Sequence, residues 1–251
     1  MDELFMRSAA PLGADIWKAI DETVENVARQ QLVGRRLISL VGPVGIGALA
    51  VPAPKANGEA GLLTFTTLSQ DFTIAYEDII AAQHSGLPLE MGAVAQAVIA
   101  LAKAEDELIF DSLRNAKGIQ TAPIGEWDKV GGAFVAVAGA LEKLMSAGVY
   151  GPYALVLSTN LYMQTQRVLA ETGLLEIEQI SGLINGDIYF APTLQAKEGF
   201  LIANAPYNLD LVMAQDMITA YTANAGLDHT FRLMEKLAVR IKRPAAICAL
   251  K

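Results

Sequence analysis

Residues 231–241 read FRLMEKLAVRI, and apolar and charged residues alternate along this segment. A period of two is typical of a β-strand with one buried face and one wetter face. We expect the buried face to carry Phe231, Leu233, Leu237, Val239 and Ile241, opposite Arg232, Lys236, Arg240 and Lys242. This is the clearest strand pattern in the 251-residue chain, and it anchors the fold prediction.

An amphipathic helix is predicted near the N-terminus. One face recurs with 3-4-3-4 spacing, through Trp17, Ile20, Val24, Val27 and Gln31. Gly34 is placed to end this helix, Arg35–Val41 resembles a short strand, and Gly42–Gly45 forms a glycine-rich turn.

Three further helices are predicted, over Met91–Asn115, over Val130–Met145 with Gly148 as its stop, and over Asn160–Thr172 with Gly173 as its stop. Residues 50–60 are expected to form a loop, because prolines and glycine punctuate them. The remaining predicted strands are Leu62–Ile74, Tyr153–Ser158, Ile188–Ala191, Phe200–Ala203 and Leu209–Met213. Long helices mixed with separate strands, without regular βαβ alternation, predict an α+β fold.

The composition excludes several classes of function. The chain is 53% hydrophobic and only 18% charged, which predicts a large core and a surface that is partly covered in an oligomer. A net charge of −8 without a basic patch argues against a nucleic-acid partner. Glycines and prolines interrupt the uncharged stretch Leu37–Pro54, so no membrane span is expected. The acidic N-terminus does not resemble a signal peptide, so we expect a cytoplasmic protein.

No motif predicts a catalytic or metal site. The turn Gly42–Gly47 lacks both the GxGxxG spacing and the lysine of a phosphate loop. Ser158 follows a strand without flanking elbow glycines, and His84 and His229 are expected to be structural or solvated. Cys248, the only cysteine, is expected to be a buried apolar side chain.

The acidic cluster Glu105-Asp106-Glu107 is the remaining candidate for carboxylate chemistry. Adjacent residues on a helix do not face one another, so we expect a solvated or interface-paired face instead. Trp17 is expected in the core, and Trp127 is either a packing anchor or an interface residue.

Several ordered segments resemble the family 1 encapsulins, also called linocin-like bacteriocins. The matching segments are Arg7–Leu12, Trp17, Ile20-Asp21, Leu32–Arg36, Gly42–Gly45, Phe72–Ile74, Ala104–Phe110, Gly151–Leu157 and Ala214–Met217. None of these is diagnostic alone, but they fall in family order and span most of the chain.

The resemblance implies the HK97 phage-capsid-like fold and a division of the chain into three parts. Residues 1–47, 72–120 and 228–251 would form the peripheral domain, 48–71 the projecting E-loop, and 121–227 the axial domain. The implied protein is a non-enzymatic shell subunit that assembles, in about sixty copies, into an icosahedral compartment around a cargo protein.

The resemblance also implies two functional regions. A groove for a C-terminal peptide of the cargo would be formed by Ala28, Leu32, Arg35, Ser39, Asp216 and Met217. A five-fold pore loop would be formed by Ser181, Gly182, Leu183, Ile184, Asn185, Gly186 and Asp187. The alternative for the pore segment is an ordinary surface turn.

The usual guests of such shells are ferritin-like proteins and dye-decolourising peroxidases. Some relatives bind flavin near the base of the E-loop, where an aromatic residue stacks on the flavin ring. That neighbourhood offers Tyr76 rather than tryptophan in this chain, and no cofactor is predicted. Three other functions stay open: a phage capsid protein, a carboxylate enzyme at Glu105–Glu107, and the antibacterial activity of the older family label.

Overall fold

Helices cover two separate sheets in the computed structural model, which describes residues 3–54, 60–86, 88–169 and 173–251. The helices are α1 Ala14–Gln31, α2 Gly34–Leu37, α3 Tyr76–His84, α4 Gly92–Asn115, α5 Gly132–Ser146, α6 Thr159–Gln164 and α7 Glu176–Ile184. The strands are β1 Ser39–Val41, β2 Ala50–Pro54, β3 Ala60–Thr64, β4 Thr66–Ile74, β5 Gln120–Ala122, β6 Tyr153–Leu157, β7 Asp187–Phe190, β8 Gly199–Ala203, β9 Leu209–Ala225, β10 Asp228–Ile241 and β11 Ile247–Leu250.

The first sheet has the order β1-β9-β10-β4 and contains the strand predicted from residues 231–241. The alternation is confirmed up to Leu237: Phe231, Leu233 and Leu237 of β10 are fully buried, whereas Arg232 is exposed. Beyond the register shift at Lys236 and Leu237 it is lost, because Val239, Arg240 and Ile241 are all half-buried. Phe231 stacks on Phe72 of β4 with ring centroids 5.4 Å apart. These contacts fix the register of the sheet, because a one-residue slip would turn the apolar face outward.

Two long helices pack on this sheet, and both were predicted. Trp17, Ile20 and Val24 of α1 bury their side chains in one core cluster with apolar residues of α4 and β10. Trp17 meets Phe231 edge-on, with centroids 5.6 Å apart. The helical stripe of α1 therefore covers the apolar face of the first sheet.

The second sheet has the order β5-β11-β8-β6-β7. All residues of β8 and β11 are buried, which is typical of strands covered on both faces. Helix α5 packs on this sheet, and its predicted stop is confirmed, because Gly148 has φ +67°. Trp127 is a packing anchor: it is 3% exposed, and its indole donates to the carbonyl of Ile124.

The prediction that Gly34 ends the first helix is wrong, because α1 ends at Gln31 and Gly34 begins α2. A Cβ on Gly34 would lie 2.4 Å from Ile109 Cδ1 of α4, so the glycine allows a close helix approach. Only Ser39–Val41 of the predicted strand Arg35–Val41 is extended.

The loop predicted over residues 50–60 is wrong for residues 50–54, which form β2, and for residue 60, which begins the paired strand β3. Among the described residues β2 pairs only with β3, and its unpaired edge tolerates two prolines. Residues 55–59 lie outside the described part. The strand predicted over Leu62–Ile74 is confirmed but is divided between β3 and β4.

The helix predicted over Asn160–Thr172 is also too long, because α6 ends at Gln164. The guanidinium of Arg167 donates to the carbonyls of Gln164 and Asp128, each at 2.8 Å, and thereby holds the chain in a turn. Residues 170–172 lie outside the described part. The sequence prediction missed α7, and it ended β9 twelve residues too early, at Met213.

The strand pairings differ from the predicted domain division at two strands. The prediction assigned β9 to the axial segment and β11 to the peripheral one. Here β9 pairs with β1 and β10, whereas β11 pairs with β5 and β8. Of the predicted E-loop, 48–71, residues 50–54 and 60–64 form the hairpin β2–β3, while 66–71 pair with β10.

In the part of the chain that the structure describes, no helix is long and apolar enough to cross a membrane.

Phe231→Ala should lower the free energy of unfolding by about 3–5 kcal/mol, because it leaves a cavity between α1 and β4. Chemical denaturation followed by circular dichroism measures this loss. Leu227→Ala is the control: Leu227 is 68% exposed, so a change below about 0.5 kcal/mol is expected. Equal losses in the two variants would contradict the assigned core.

Candidate functional site

A groove of about 570 Å³ lies between α1, α2 and the bulged part of β9. Five of the six residues predicted for cargo binding line it, namely Ala28, Leu32, Arg35, Asp216 and Met217. The sixth, Ser39, does not line the groove and instead pairs with Asp210 as part of β1.

Helix α1 supplies one wall of the groove because of its periodicity. Val24 and Ala28 are one turn apart, and Leu32 follows directly after the helix end with the same spacing of four. The neighbouring row of Asp21, Glu25 and Arg29 also lines the groove, so the apolar wall has a charged rim. Arg29 and Glu25 form an ion pair of 2.5 Å across that rim.

A β-bulge places two consecutive residues of β9 in the groove. Gln215 pairs with Lys236 and Ile218 with Met234, so Asp216 and Met217 together oppose the single residue Glu235. A bulge redirects side chains that would otherwise point to opposite faces of the sheet. Both Asp216 and Met217 therefore line the groove, and Asp216 Oδ1 accepts the Met217 N–H at 2.8 Å.

Arg35 connects the groove to buried carboxylates beneath it. Its Nε and Nη2 donate to Glu105 at 2.9 and 2.7 Å, and Nη2 also donates to Glu235 Oε2 at 2.9 Å. Its Nη1 donates to Asp216 Oδ1 at 2.8 Å. Glu105 and Glu235 are 0% and 1% exposed, whereas Asp216 is largely exposed at the rim.

The cluster raises the pKa values of both Arg35 and Glu235, which favours the charged form of the first and the neutral form of the second. Burial opposes the charge of Arg35, but the hydrogen bond and charge of Glu105 and the charges of Asp216 and Glu235 raise its pKa above the ordinary value. Burial, and then the charge of Glu105, raise the pKa of Glu235 well above that of an ordinary carboxyl group. Arg35 is thus a permanent cation, while Glu235 favours its neutral form.

The predicted solvated or interface-paired face at Glu105-Asp106-Glu107 is wrong for its first two residues, because Glu105 and Asp106 are buried within the chain. The Asp106 carboxylate accepts the N–H groups of Gly34 and Val33 at 2.8 and 3.2 Å, at the start of α2. Burial raises the pKa of Asp106 to about 6, although these two bonds oppose the shift. Both buried carboxylates are thus occupied in positioning α2.

The N-terminal segment closes one end of the groove. Arg7 binds Asp21 through two hydrogen bonds of 2.7 Å, donates to the carbonyl of Thr219 at 2.9 Å, and lies over the ring of Trp17. The sequence predictions gave no role in the groove to Arg7 or Glu235. For Glu235 a signal exists, because it is in phase with the buried residues Leu233 and Leu237 of β10.

The predicted pore segment 181–187 is not a simple loop. Ser181–Ile184 form the last turn of α7, Asn185 has φ +47° and ψ +52°, and Asp187 begins β7. A Cβ on Gly186 would lie 2.0 Å from the Tyr153 carbonyl oxygen, so the turn packs against β6. Gly182, Asn185 and Asp187 are exposed.

The other candidates for chemistry have structural surroundings. Cys248 is buried in β11, and burial raises the pKa of its thiol to about 11. His229 contacts the Tyr221 hydroxyl at 3.1 Å, and Ser158 precedes α6. Among the described residues, no group of three or more histidine, cysteine or acidic side chains could hold a metal ion.

Comparison with solved structures defines the class of fold. The chain matches the virus-like particle from Pyrococcus furiosus with a TM-score of 0.80, at 19% identity, over 94% of this chain and 99% of that one. It matches the capsid of Myoviridae phage XM1 with a TM-score of 0.64, at 10% identity, over 85% and 88% of the two chains. The fold is therefore that of phage capsids of the HK97 type, as predicted.

The sequence comparisons identify the family within this class. The Linocin_M18 family, described as encapsulating protein for peroxidase, matches residues 1–238, and the chain belongs to this family. The type 1 encapsulin shell protein EncA of Myxococcus xanthus is 36% identical, over 100% of this chain and 97% of its own length. A diheme-cytochrome-encapsulin shell fusion protein of Kuenenia stuttgartiensis is 29% identical, over 94% and 72%.

Asp106→Ala should lower the free energy of unfolding by about 1–3 kcal/mol at pH 7, because two N–H groups lose their acceptor. The pKa of Asp106 is higher in the folded protein than in the unfolded chain, so the protonated carboxyl group stabilises the fold. This stabilisation is complete below the pKa of the unfolded chain and is lost as pH rises through about 6. The deficit of the variant should therefore be larger at pH 4 than at pH 7, by up to about 3 kcal/mol.

Denaturation of both proteins across this pH range measures the deficit. Glu107→Ala is the matched control on the same helix, because the side chain of Glu107 is 52% exposed and should matter by less than about 0.5 kcal/mol. A deficit that grows with pH would show that Asp106 is not held as described.

Proposed function

We propose that this chain is the subunit of a self-assembling icosahedral shell that encloses a cargo protein. The observation that carries the proposal is the match to a type 1 encapsulin shell protein over the full length of the chain. The capsid-type fold supports it, because the solved structures with this fold include a virus-like particle and a phage capsid. Closed icosahedral symmetry requires multiples of sixty subunits, and we propose about sixty.

The hairpin β2–β3 is the proposed contact between neighbouring subunits. Leu49, just before β2, and Leu62 in β3 are 78% and 77% exposed. Exposed apolar side chains on an edge that can still pair favour strand addition to a second copy. Burial of this hairpin on assembly also accounts for the low charge content of the chain.

Purified protein should elute as one species of about 1.6 MDa, which corresponds to sixty copies of the 26.7 kDa chain. Negative-stain microscopy should show hollow spheres. Leu62→Asp should abolish this species yet keep the circular dichroism spectrum, since the changed side chain lies outside the core. Monomeric elution of the unchanged protein at every concentration would refute the proposal.

We further propose that the groove binds an extended peptide at the C-terminus of the cargo. The apolar wall of Ala28 and Leu32 suits aliphatic anchors, and Met217 is half-buried beside it. The outer edge of β9 already has hydrogen-bond partners on both sides of the groove. The N–H groups of Val44 and Gly45 donate to the carbonyls of Met213 and Ala214. The N-terminal segment bonds to β9 at Thr219 and Tyr221. The groove lies over the stretch between them, where the peptide would lie beside Met217, whose N–H is already bonded to Asp216 Oδ1.

The cargo is proposed to be a redox or iron-handling protein. The named relatives include a diheme-cytochrome fusion and a ferritin-like fusion of encapsulin shells, and the family is described as encapsulating protein for peroxidase. A ferritin-like protein or a dye-decolourising peroxidase fits this pattern. We propose that the shell lies in the cytoplasm and has neither a nucleic-acid nor a membrane partner.

The shell subunit itself is proposed to be non-catalytic and to hold no cofactor. Support comes from Glu105 and Asp106, whose carboxylates are already engaged by Arg35 and by the N–H groups of α2. The segment 181–187 is proposed to line a five-fold pore, with the exposed Asn185 and Asp187 meeting small hydrated ions. A shell reconstruction would locate both side chains relative to the axis.

The groove can be tested with a fluorescent protein that carries a random C-terminal library of about twelve residues, co-expressed with the shell. Shells should enrich tails with two or more aliphatic residues. Met217→Asp should lower recovery of an enriched tail about tenfold, because it places a charge against the apolar wall. Ser39→Ala is the control, since Ser39 lies outside the groove. Equal recovery in both variants, or no enrichment, would contradict peptide docking.

A further inference from the structure

Beneath the groove, two buried carboxylates share one cation. Arg35 Nη2 donates to both Glu105 Oε2, at 2.7 Å, and Glu235 Oε2, at 2.9 Å. A third carboxylate, Asp216, occupies Nη1 of the same guanidinium. Three carboxylates therefore surround a single positive charge, and two of them have almost no contact with solvent.

The hydrogen bonding of this cluster is incomplete if all three carboxylates are ionised. Glu235 Oε1 is buried and finds no donor among the described residues. Its neighbour Glu105, held on the same nitrogen of Arg35, offers only acceptors when it is ionised. A proton on Glu235, donated to Glu105, completes the bonding and removes one buried charge.

We propose that Glu105 and Glu235 hold one proton between them and act as positioning residues for Arg35, so that guest docking weakens when the pair loses this proton. The proposal rests on the proposed docking function of the groove. It assigns the pair no role in any reaction, because neither side chain lines the groove.

The groups around the pair set the direction of the effect. Arg35 faces Glu235 from α2, Glu105 from α4 and Asp216 from β9, while the register partner on β4 is the apolar Leu68. Loss of the proton leaves Arg35 to balance two buried charges, and Glu235 then repels Asp216. The Arg35–Asp216 contact that forms the groove rim is weakened as a result.

The stability of the shell should follow the same proton. Burial and the charge of Glu105 raise the pKa of Glu235, so its contribution is full below the ordinary carboxyl pKa and is lost as pH rises through the raised value. Glu235→Gln keeps the size and a donor toward Glu105 but does not titrate. The variant represents the protonated pair at every pH.

Thermal unfolding of assembled shells between pH 5 and pH 9 tests the pair without any guest. The apparent melting temperature of the unchanged protein should fall by about 2–4 °C more than that of Glu235→Gln. Glu198→Gln is the matched control, a carboxylate on Arg114 whose pKa is lowered despite its burial. That variant should melt lower throughout the range. Parallel curves for Glu235→Gln and the unchanged protein would overturn the shared proton.

Guest retention tests the coupling to the groove. A tail enriched from the random library should bind unchanged shells about tenfold more weakly at pH 9 than at pH 6, and Glu235→Gln shells almost equally. A second outcome is that the melting temperature depends less on pH in Glu235→Gln, as expected, while both proteins retain the tail equally at pH 6 and pH 9. That result would refute the coupling to the groove but not the shared proton. If the library yields no tail, peptide docking fails, while the melting curves still decide the shared proton.

Discussion

The guanidinium of Arg35 is the interaction on which the arrangement of the groove depends. It joins α2 to α4, β10 and β9 through Glu105, Glu235 and Asp216. The neighbouring Gly34 allows α2 to approach α4 closely. Because four elements meet at one side chain, the floor of the groove and the packing of α4 on the first sheet are set together.

This cluster has a cost that an apolar core would not have. Removing charge from water is expensive, and replacement of buried ion pairs by apolar groups is often neutral or stabilising. The first sheet already has an apolar core around Phe231 and Trp17 that could have continued under the groove. We infer that the ions are retained there for the fixed direction they give Arg35 and Asp216 rather than for stability, since hydrogen bonds between charged groups have a preferred geometry.

The sequence predicted those elements whose own residues carry the full periodic signal. Helices α1 and α4 each bury one continuous face, and strand β10 does so from Phe231 to Leu237, so their apolar spacing was sufficient. The errors occurred where a distant contact decides the local structure. Gly34 suggested a helix stop, but its role is the approach to Ile109, and β2 accepts prolines because its pairing is one-sided. Neither fact is contained in the local sequence.

The same distinction separates the predicted from the missed groove residues. Family resemblance located Arg35 and Asp216, but strict alternation cannot place both Asp216 and Met217 on one face of β9. The bulge opposite Glu235 does so, and it exists only through the pairing of β9 with β10. Glu235, which stands in phase with Leu233 and Leu237, is an acid at a position that the pattern reserves for an apolar residue. An acid at such a position requires a buried partner, and Arg35, although 200 positions away in the chain, is the cation that meets it.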